Sequence, residues 1–225
     1  MRPASSKVTL GRILTLALLV AAMLGIPAGR AEAEVAMGPY LDTSGGSGTL
    51  QWDRDNYDFD VDVSSAAIGF ALNNGPTTPE NFNYRLNLGV EAQNLDDDYD
   101  STLKMSGVVL ENVLGLALLR QPNMRWWAGP LVRIGYYSGE TDDHHRRSGD
   151  RYKTEADLFE YGIGFATGLN FRIGRHTYLA PSAGIRYIKA TGSGTFKNLD
   201  SRTQYDDDLS GHLTNFFVNC ALLFD

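Results

Sequence analysis

The chain has 225 residues, of which 43% are hydrophobic and 21% charged, with 24 glycines, a single cysteine and a formal net charge of −7. The negative charge excludes a nucleic-acid binder that works through a broad basic face, and the single cysteine excludes an internal disulfide framework or a cysteine-rich zinc site. The mean hydropathy of −0.24 is too polar for a bundle of transmembrane helices. The composition leaves a globular domain or a membrane β-barrel.

Residues 1–33 are predicted to be a signal peptide, which leaves 34–225 as the mature chain. Three basic residues come first, namely Arg2, Lys7 and Arg12. The apolar run Ile13–Ile26 that follows has the length of a signal-peptide core and is short for a membrane-spanning helix. Small residues around Ala33 predict cleavage after that position. The alternative is an uncleaved membrane anchor.

The mature chain alternates between apolar and small or polar residues with a period of two, which predicts β-strands. The clearest strand is Phe159–Phe171. Eight strands are predicted, an even number that suits a closed antiparallel barrel: Val35–Thr49, Tyr57–Leu72, Tyr84–Asn94, Val108–Leu118, Met124–Tyr137, Phe159–Phe171, Thr177–Tyr187 and Asn215–Phe224. A change of phase near Ser64 and Ser65 predicts a β-bulge, and Gly107–Leu119 can also be interpreted as a buried helix.

The connectors alternate in length and predict which end of the barrel faces outward. One end has the shorter or Pro/Gly-marked connectors Asn73–Asn81, Gln121–Asn123 and Gly174–Arg175. The other end has Asp53–Asn56, Leu95–Ser101, Glu140–Glu155 and Lys197–Asp208, three of which are long and charged. This layout is typical of an outer-membrane barrel with both ends of the mature chain in the periplasm. Pro39, Pro130 and Pro181 interrupt strands, which suggests bends near the rim.

A soluble lipocalin-like barrel and a membrane barrel share this alternation, and two features favour the membrane. The polar strand faces are rich in glycine and alanine, as the crowded lumen of an eight-stranded barrel requires. Aromatic residues also recur ten positions apart on one face, a separation of about 25 Å along a tilted strand. The predicted interface girdle is Trp126, Tyr136, Tyr161, Phe171, Tyr187 and Phe224. The predicted fold is therefore an all-β, eight-stranded antiparallel up-and-down transmembrane β-barrel.

The signal peptide, the alternating strands and the final segment Val218–Phe224 resemble the small OmpA/OmpX-type outer-membrane barrels. The resemblance covers the mature chain and is architectural. Members usually end on an aromatic residue, whereas Asp225 follows Phe224 here. The resemblance implies a Gram-negative outer membrane, contact with outer-membrane lipids and lipopolysaccharide, assembly by periplasmic chaperones and the barrel-insertion machinery, no nucleic-acid partner and a monomer. Family members are structural anchors, adhesion or evasion proteins, narrow pores and a few lipid-modifying enzymes, so the fold does not choose among these roles.

Charged residues on the predicted inward faces are Glu91, Glu111, Arg133, Glu160 and Arg186. A three-residue turn at 121–123 would place Glu111 opposite Arg133, and Glu160 would lie diagonally near Arg186. Because a lone buried charge is costly, opposite charges at matching depth predict ion pairs that plug the lumen. The leading hypothesis is a non-enzymatic barrel closed to ions, and the first alternative is a narrow outer-membrane pore for small solutes.

Basic residues in or beside the outward loops are predicted to contact lipopolysaccharide phosphates, to which arginine binds bidentately. They are Arg146, Arg147, Arg151, Lys153, Lys189, Lys197 and Arg202. Because the mature chain is otherwise acidic, basic residues at one end of the barrel suggest an anionic partner. A mixed, solvated surface is the alternative interpretation.

Other chemistry has weaker support. The segment His212–Asn215 resembles, with threonine in place of serine, the His-x-Ser-Asn pattern of lipid A deacylases, where histidine activates a hydroxyl. A lipid A-modifying acyl hydrolase is therefore the second alternative, although no catalytic residue is assigned. His144 and His145 lie in the longest loop, and the acidic groups within 96–100 and 206–208 could attract divalent cations loosely. Neither arrangement has the spacing of a dedicated site, so no metal and no cofactor is predicted.

Overall fold

Eight long antiparallel strands form a closed ring in the computed structural model, which describes residues 35–53, 57–76, 81–97, 102–141, 144–145, 151–201 and 203–225. The strands are β1 (Val35–Trp52), β2 (Tyr57–Asn74), β3 (Phe82–Asp97), β4 (Thr102–Gln121), β5 (Met124–Thr141), β6 (Arg151–Arg172), β7 (Thr177–Asn198) and β8 (Gln204–Phe224). Each pairs with the next along the chain, and β8 returns to pair with β1. A two-residue strand, His144–His145, pairs with the start of β6.

The predicted up-and-down barrel is thereby confirmed, and the helical interpretation of Gly107–Leu119 is wrong because this segment lies within β4. Among the described residues, no helix is long and apolar enough to cross a membrane.

The strand registers are staggered around the ring. A path across paired residues leads from Tyr40 on β1 back to β1 at Leu50, ten residues further along. It passes through Gly69, Gly89, Val109, Gly135, Glu160, Ala190 and Gly211. This stagger in an eight-stranded ring tilts the strands by about 40° and leaves a lumen just wide enough for side chains to fill. The Tyr137 ring occupies part of that lumen beside Gly135, where a Cβ atom would come within 2.6 Å of the ring.

An apolar belt surrounds the part of the barrel nearest the short turns. Its outward side chains include Ile68, Leu88, Ile163 and Phe216, which are 57–67% exposed. The side chains that face the lumen at the same level include many buried polar and charged groups, mixed with small or apolar residues such as Ala67, Trp127 and Phe217. An apolar exterior around a polar interior is the arrangement of a membrane barrel, and a lipocalin-like barrel has the reverse.

Beyond the belt, towards the end of the barrel that has the connectors 53–56, 98–101, 142–150 and 199–203, the polarity of the inward and outward strand faces is reversed. We call this part the upper barrel. Its inward side chains form a buried apolar cluster that includes Leu50, Leu95, Leu158 and Leu209. Its outward side chains are polar and exposed, among them Asp60, Asp62, Asp96, Lys104, Ser138 and Asp157. The upper barrel therefore has the faces of a soluble barrel and continues the membrane barrel without a break in the strands.

This reversal explains an error in the sequence prediction. Strand β2 pairs regularly with β1 through Ser64 and Ser65, so the predicted bulge is wrong. The apolar positions change phase there because Val63 faces the lumen of the upper barrel, whereas Ile68 faces outward in the belt. The register shift of β4 against β5 lies instead between Ala117 and Leu119.

The strands are also longer at their outer ends than predicted. Strand β6 begins at Arg151, β7 extends to Asn198 and β8 begins at Gln204, so most of the predicted loop Lys197–Asp208 is strand. These segments resemble loops in sequence because their outward positions are polar. The acidic run 206–208 is an example: Asp206 and Asp208 are exposed, whereas Asp207 is buried.

The three strand prolines lie in the half of the barrel nearest the short turns, and each coincides with a local break in one ladder; the predicted bends stay a prediction. Pro39 is paired with β2 but not with β8, Pro130 with β6 but not with β4, and Pro181 with β8 but not with β6. The physical reason is that proline has no N–H to donate to a second neighbour.

Candidate functional site

Arg186 lies at the centre of the charged layer that fills the lumen within the apolar belt. Its Nη1 and Nη2 atoms donate to the two carboxylate oxygens of Asp42 at 3.1 and 2.8 Å, and its Nε donates to Glu111 Oε2 at 2.7 Å. The guanidinium also lies over the ring of Phe217, with Cζ 3.8 Å from the ring centroid. Asp42, Glu111 and Arg186 project from β1, β4 and β7, which divide the ring into approximate thirds, so this cluster spans the lumen.

Arg133 forms the second part of the charged layer. Its Nη2 donates to Glu91 Oε2 at 2.5 Å and to the Tyr137 hydroxyl at 2.8 Å, whereas its Nη1 is 4.0 Å from Glu111 Oε2. The structure places Glu111 directly opposite Arg133 in the β4–β5 register. The shorter contacts of both residues nevertheless go to other partners: Glu111 bonds across the lumen to Arg186, and Arg133 bonds to Glu91, on the strand beyond β4.

Glu160 lies at the outer edge of the charged layer, where it accepts a hydrogen bond from Gln93 Nε2 at 3.2 Å. Glu160 and Arg186 form no ion pair in the part of the chain that the structure describes, so the predicted diagonal pair is wrong. The physical reason is that Arg186 extends towards Asp42 and Glu111, which occupy its donors.

Several members of this layer were not among the charged residues predicted from the sequence. Asp42 was overlooked because β1 is rich in glycine and its phase was not assigned, although Asp42 is two positions from the inward residue Tyr40. Arg85 is six positions from Glu91 on β3 and therefore shares its face. Its guanidinium donates to Ser182 Oγ, the Ala180 carbonyl and Asn219 Oδ1 at 3.3, 3.1 and 3.0 Å. The periodicity of each strand was the signal that could have found both residues.

Arg125 occupies the end of the lumen beside the short turns. Its guanidinium donates to the carbonyl oxygens of Gly75 and Phe82 at 2.8 and 2.6 Å. Gly75 has a positive φ of 51°, a conformation that glycine adopts without strain, and this directs its carbonyl to the arginine. Arg125 therefore ties the β2–β3 connection to the lumen wall.

The six predicted girdle residues lie on the outer wall in two groups. Trp126, Phe171 and Phe224 are close to the short turns, and Tyr136, Tyr161 and Tyr187 are at the boundary with the upper barrel. Trp126 and Tyr136 are ten residues apart on β5, and so are Phe171 and Tyr161 on β6. On strands tilted by about 40° this separation corresponds to about 25 Å, the height of the apolar band of outer-membrane barrels.

Solved structures of outer-membrane proteins align with most of this chain. The outer membrane protein OprG from Pseudomonas aeruginosa aligns over 88% of this chain and 99% of its own, with 9% identity and a TM-score of 0.50. The outer membrane protease OmpT from Escherichia coli aligns over 89% and 99%, with 10% identity and a TM-score of 0.43. The chain has the fold of the small outer-membrane β-barrels. No protein-family model and no curated protein matches the sequence, so the likeness concerns the fold alone.

Seven basic residues were predicted to lie at the outer end of the barrel, and the structure describes four of them. Arg151 contacts Asp200 at 3.3 Å, Lys153 contacts Glu140 at 2.7 Å, and Lys197 contacts Glu155. Lys189 is exposed on the outer wall of β7. Arg146, Arg147 and Arg202 lie outside the described residues. Three of the four described cations therefore have a carboxylate beside them.

Two polar residues of the deacylase-like segment, His212 and Thr214, share the outer wall of the barrel, and the third does not. His212 is exposed on the outer wall, with its ring 6.1 Å from that of Tyr187, whereas Asn215 faces the lumen and is 3% exposed. His212 contacts no carboxylate among the described residues. The hydroxyl of Thr49, its cross-strand neighbour, donates instead to Asp60 at 3.1 Å.

The predicted loose cation sites fall partly outside the described residues, which do not include Asp98, Asp100 or the side chains of His144 and His145. Within the described ranges, no group of three or more histidine, cysteine, aspartate or glutamate side chains is placed to hold a metal ion. Asp206 accepts a hydrogen bond from Thr195 Oγ1 at 2.8 Å.

Proposed function

We propose that this protein is a non-enzymatic barrel of a Gram-negative outer membrane, with a lumen plugged by charged side chains and an outer surface that contacts lipopolysaccharide or a partner. The observation that carries the plug is the position of Arg186, whose guanidinium binds Asp42 and Glu111 from strands on different sides of the ring. A single residue thereby crosslinks β1, β4 and β7 in the middle of the lumen.

The energetics support a plug that stays closed. Arg186, Arg133, Glu111 and Glu91 are each at most 4% exposed. Opening the lumen at this level requires the separation of buried ion pairs, and breaking a buried pair by removing one partner costs about 3–5 kcal/mol. An eight-stranded barrel has little room beside such side chains for a hydrated ion.

Recordings from planar lipid bilayers test the plug directly. The purified full-length mature barrel is expected to give no steady conductance, and the Arg186→Ala variant is expected to give more frequent openings because the central crosslink is lost. Lys153→Ala is the matched control, since it removes an exposed cation from the outer end of the barrel. A large, steady conductance from the wild-type protein would contradict the proposal and favour the narrow-pore alternative.

The absence of catalysis is part of the proposal and has its own test. No carboxylate contacts His212 among the described residues, and this supports a non-enzymatic role, because a histidine that activates a hydroxyl is itself oriented by a third group. Incubation of the barrel with purified lipid A is expected to leave the acyl chains intact by mass spectrometry. Loss of an acyl chain that depends on His212 would favour the lipid A hydrolase alternative.

The proposal includes export by a cleaved signal peptide and assembly as a monomer in the outer membrane. The signal peptide and the cleavage after Ala33 lie outside the described residues. The apolar belt and the two girdle groups support insertion into the outer membrane by the barrel-insertion machinery after passage through the periplasm with its chaperones. All eight strands pair within one chain, which supports a monomer. Mass spectrometry of protein purified from outer membranes is expected to give a mature chain that begins at Glu34.

A further inference from the structure

Lys189 stands apart from the other described cations at the outer end of the barrel because its immediate surroundings contain aromatic rings and no acid. On the outer wall it is paired across strands with Tyr161 on β6 and His212 on β8. Tyr187 precedes it by two residues on the same face, and the Tyr187 and His212 rings are 6.1 Å apart. No carboxylate contacts Lys189 among the described residues.

Lys189 differs from the other described cations in whether a carboxylate of the protein already contacts it. Arg151, Lys153 and Lys197 each contact an aspartate or glutamate, so an anionic ligand must compete with a carboxylate for them. Lys189 is exposed and has no such competitor, so its three ammonium donors are open to an acceptor from outside the protein.

The height of Lys189 on the barrel indicates which acceptor would reach it. Its cross-strand neighbour Tyr161 and its strand neighbour Tyr187 both belong to the upper girdle group. Girdle aromatics lie at the level of lipid headgroups, between the acyl chains and water. The paired cations Lys153 and Lys197 lie further out, near the far ends of β6 and β7.

We propose that Lys189, His212 and the Tyr161 hydroxyl form a binding site for the phosphate of an anionic lipid headgroup, namely a lipid A phosphate of lipopolysaccharide. This site rests on the proposed location in the outer membrane and identifies its lipopolysaccharide contact. The ammonium supplies charge and donors, and the tyrosine hydroxyl and an imidazole N–H supply further donors. The acyl chains would lie along the apolar belt directly below.

The experiment uses the full-length mature barrel in nanodiscs of neutral phosphatidylcholine, titrated with lipid A that carries both phosphates or with enzymatically dephosphorylated lipid A. Lys189→Gln is expected to weaken binding of phosphorylated lipid A about fivefold, the contribution of one cation near a membrane surface. Lys189→Arg is expected to keep binding, because arginine also donates to phosphate. Lys104→Gln, which removes an exposed cation of the upper barrel outside the predicted lipopolysaccharide-contacting set, is the matched control and is expected to bind as the wild type does.

The outcomes separate this site from the broader proposal. If Lys189→Gln binds as the wild type does, or if Lys104→Gln loses as much affinity, the site is overturned while lipopolysaccharide contact elsewhere on the barrel stands. If wild-type barrel binds phosphorylated and dephosphorylated lipid A equally, both the site and the phosphate contact are overturned. If inorganic phosphate displaces lipid A at equal concentration, the site recognises free phosphate, and the lipid assignment is overturned.

Discussion

Arg186 and Glu111 are bonded at 2.7 Å between Nε and Oε2 across the lumen, although Glu111 lies directly opposite Arg133 in the strand register. The contact between Glu111 and Arg133 is 4.0 Å, and Arg133 instead bonds to Glu91 at 2.5 Å. Neither short bond therefore joins residues of directly paired strands, and the length and direction of the side chains decide the partner of each charge. This relationship predicts which pairs of substitutions are coupled.

The double-mutant cycle of Glu111→Ala with Arg186→Ala is expected to show a larger coupling energy than the cycle of Glu111→Ala with Arg133→Ala. Glu111→Ala alone is expected to lower the free energy of unfolding by about 3–5 kcal/mol, because it leaves a buried arginine without one of its carboxylates. The measurement is reversible urea unfolding of the barrel inserted in lipid vesicles.

A conservative variant separates charge from shape in the same experiment. Glu111→Gln preserves the size of the side chain and removes its charge, so its cost should approach that of Glu111→Ala if the ion pair matters more than packing. Equal coupling energies in the two cycles would show that Glu111 does not prefer Arg186.

A pair of leucine substitutions is expected to distinguish the upper barrel from the apolar belt. Leu213 is fully buried in the apolar cluster of the upper barrel, whereas Leu88 is 58% exposed in the belt. Leu213→Ala is expected to cost about 2–5 kcal/mol of unfolding free energy, because it leaves a cavity. Leu88→Ala is expected to cost clearly less, because lipid can occupy the vacated space. A similar cost at both positions would argue against a packed upper lumen.

Much of the fold was predictable because one physical rule, alternation with a period of two, acts along every strand within the belt. The strand predicted over Met124–Tyr137 shows this, since it lies within β5, where Trp126, Val132 and Tyr136 are exposed and Trp127, Leu131 and Arg133 are buried. The rule failed at Ser64 and Ser65 because the medium outside the barrel changes from apolar belt to water, and the hydrophobic side of the strand changes with it. Sequence alternation alone cannot distinguish this reversal from a bulge.

The charged layer was predictable only in part for a different reason. Periodicity shows that Glu111 and Arg186 face the lumen, but it does not show how far each side chain extends across it. The choice of Asp42 as a partner of Arg186 depends on the stagger of the ring, which brings β1 and β7 to the same height. That stagger is the sum of all eight registers, and no local segment contains it.

The orientation of the barrel can be tested with trypsin on intact cells. The longest connector, 142–150, contains Arg146 and Arg147, whereas the short connector between β6 and β7 contains Arg175. Trypsin added outside is expected to cut after Arg146 or Arg147, because long loops of outer-membrane barrels face the exterior. Cells opened by osmotic shock provide the control for access to Arg175. Cleavage of intact cells at Arg175 alone would reverse the orientation.

Asp225 lies at the end of the barrel that has the short turns, beside Tyr178 and His176. We expect its carboxylate to stabilise the barrel in a pH-dependent way. The Tyr178 hydroxyl donates to Asp225 Oδ2 at 2.8 Å, and His176 Nδ1 is 2.9 Å from Oδ1. The hydrogen bond from Tyr178, with a smaller contribution from His176, holds the pKa of Asp225 below its ordinary value of 3.8. A carboxyl group with a lowered pKa contributes stability above its unfolded-state pKa, and this contribution is lost as the pH falls through the folded-state pKa.

The Asp225→Asn variant is therefore expected to have a lower free energy of unfolding than the wild type at pH 7. The difference should shrink as the pH is lowered below 3.8, where the carboxyl group of the unfolded state is protonated. It should vanish once the pH is also below the lowered pKa of the folded state. In a Tyr178→Phe background the same substitution should have a smaller effect at pH 7, since the principal donor is absent. The measurement is urea unfolding in vesicles at a series of pH values. A difference that stays constant from neutral to acid pH would show that the charge of Asp225 does not contribute to the stability of the barrel.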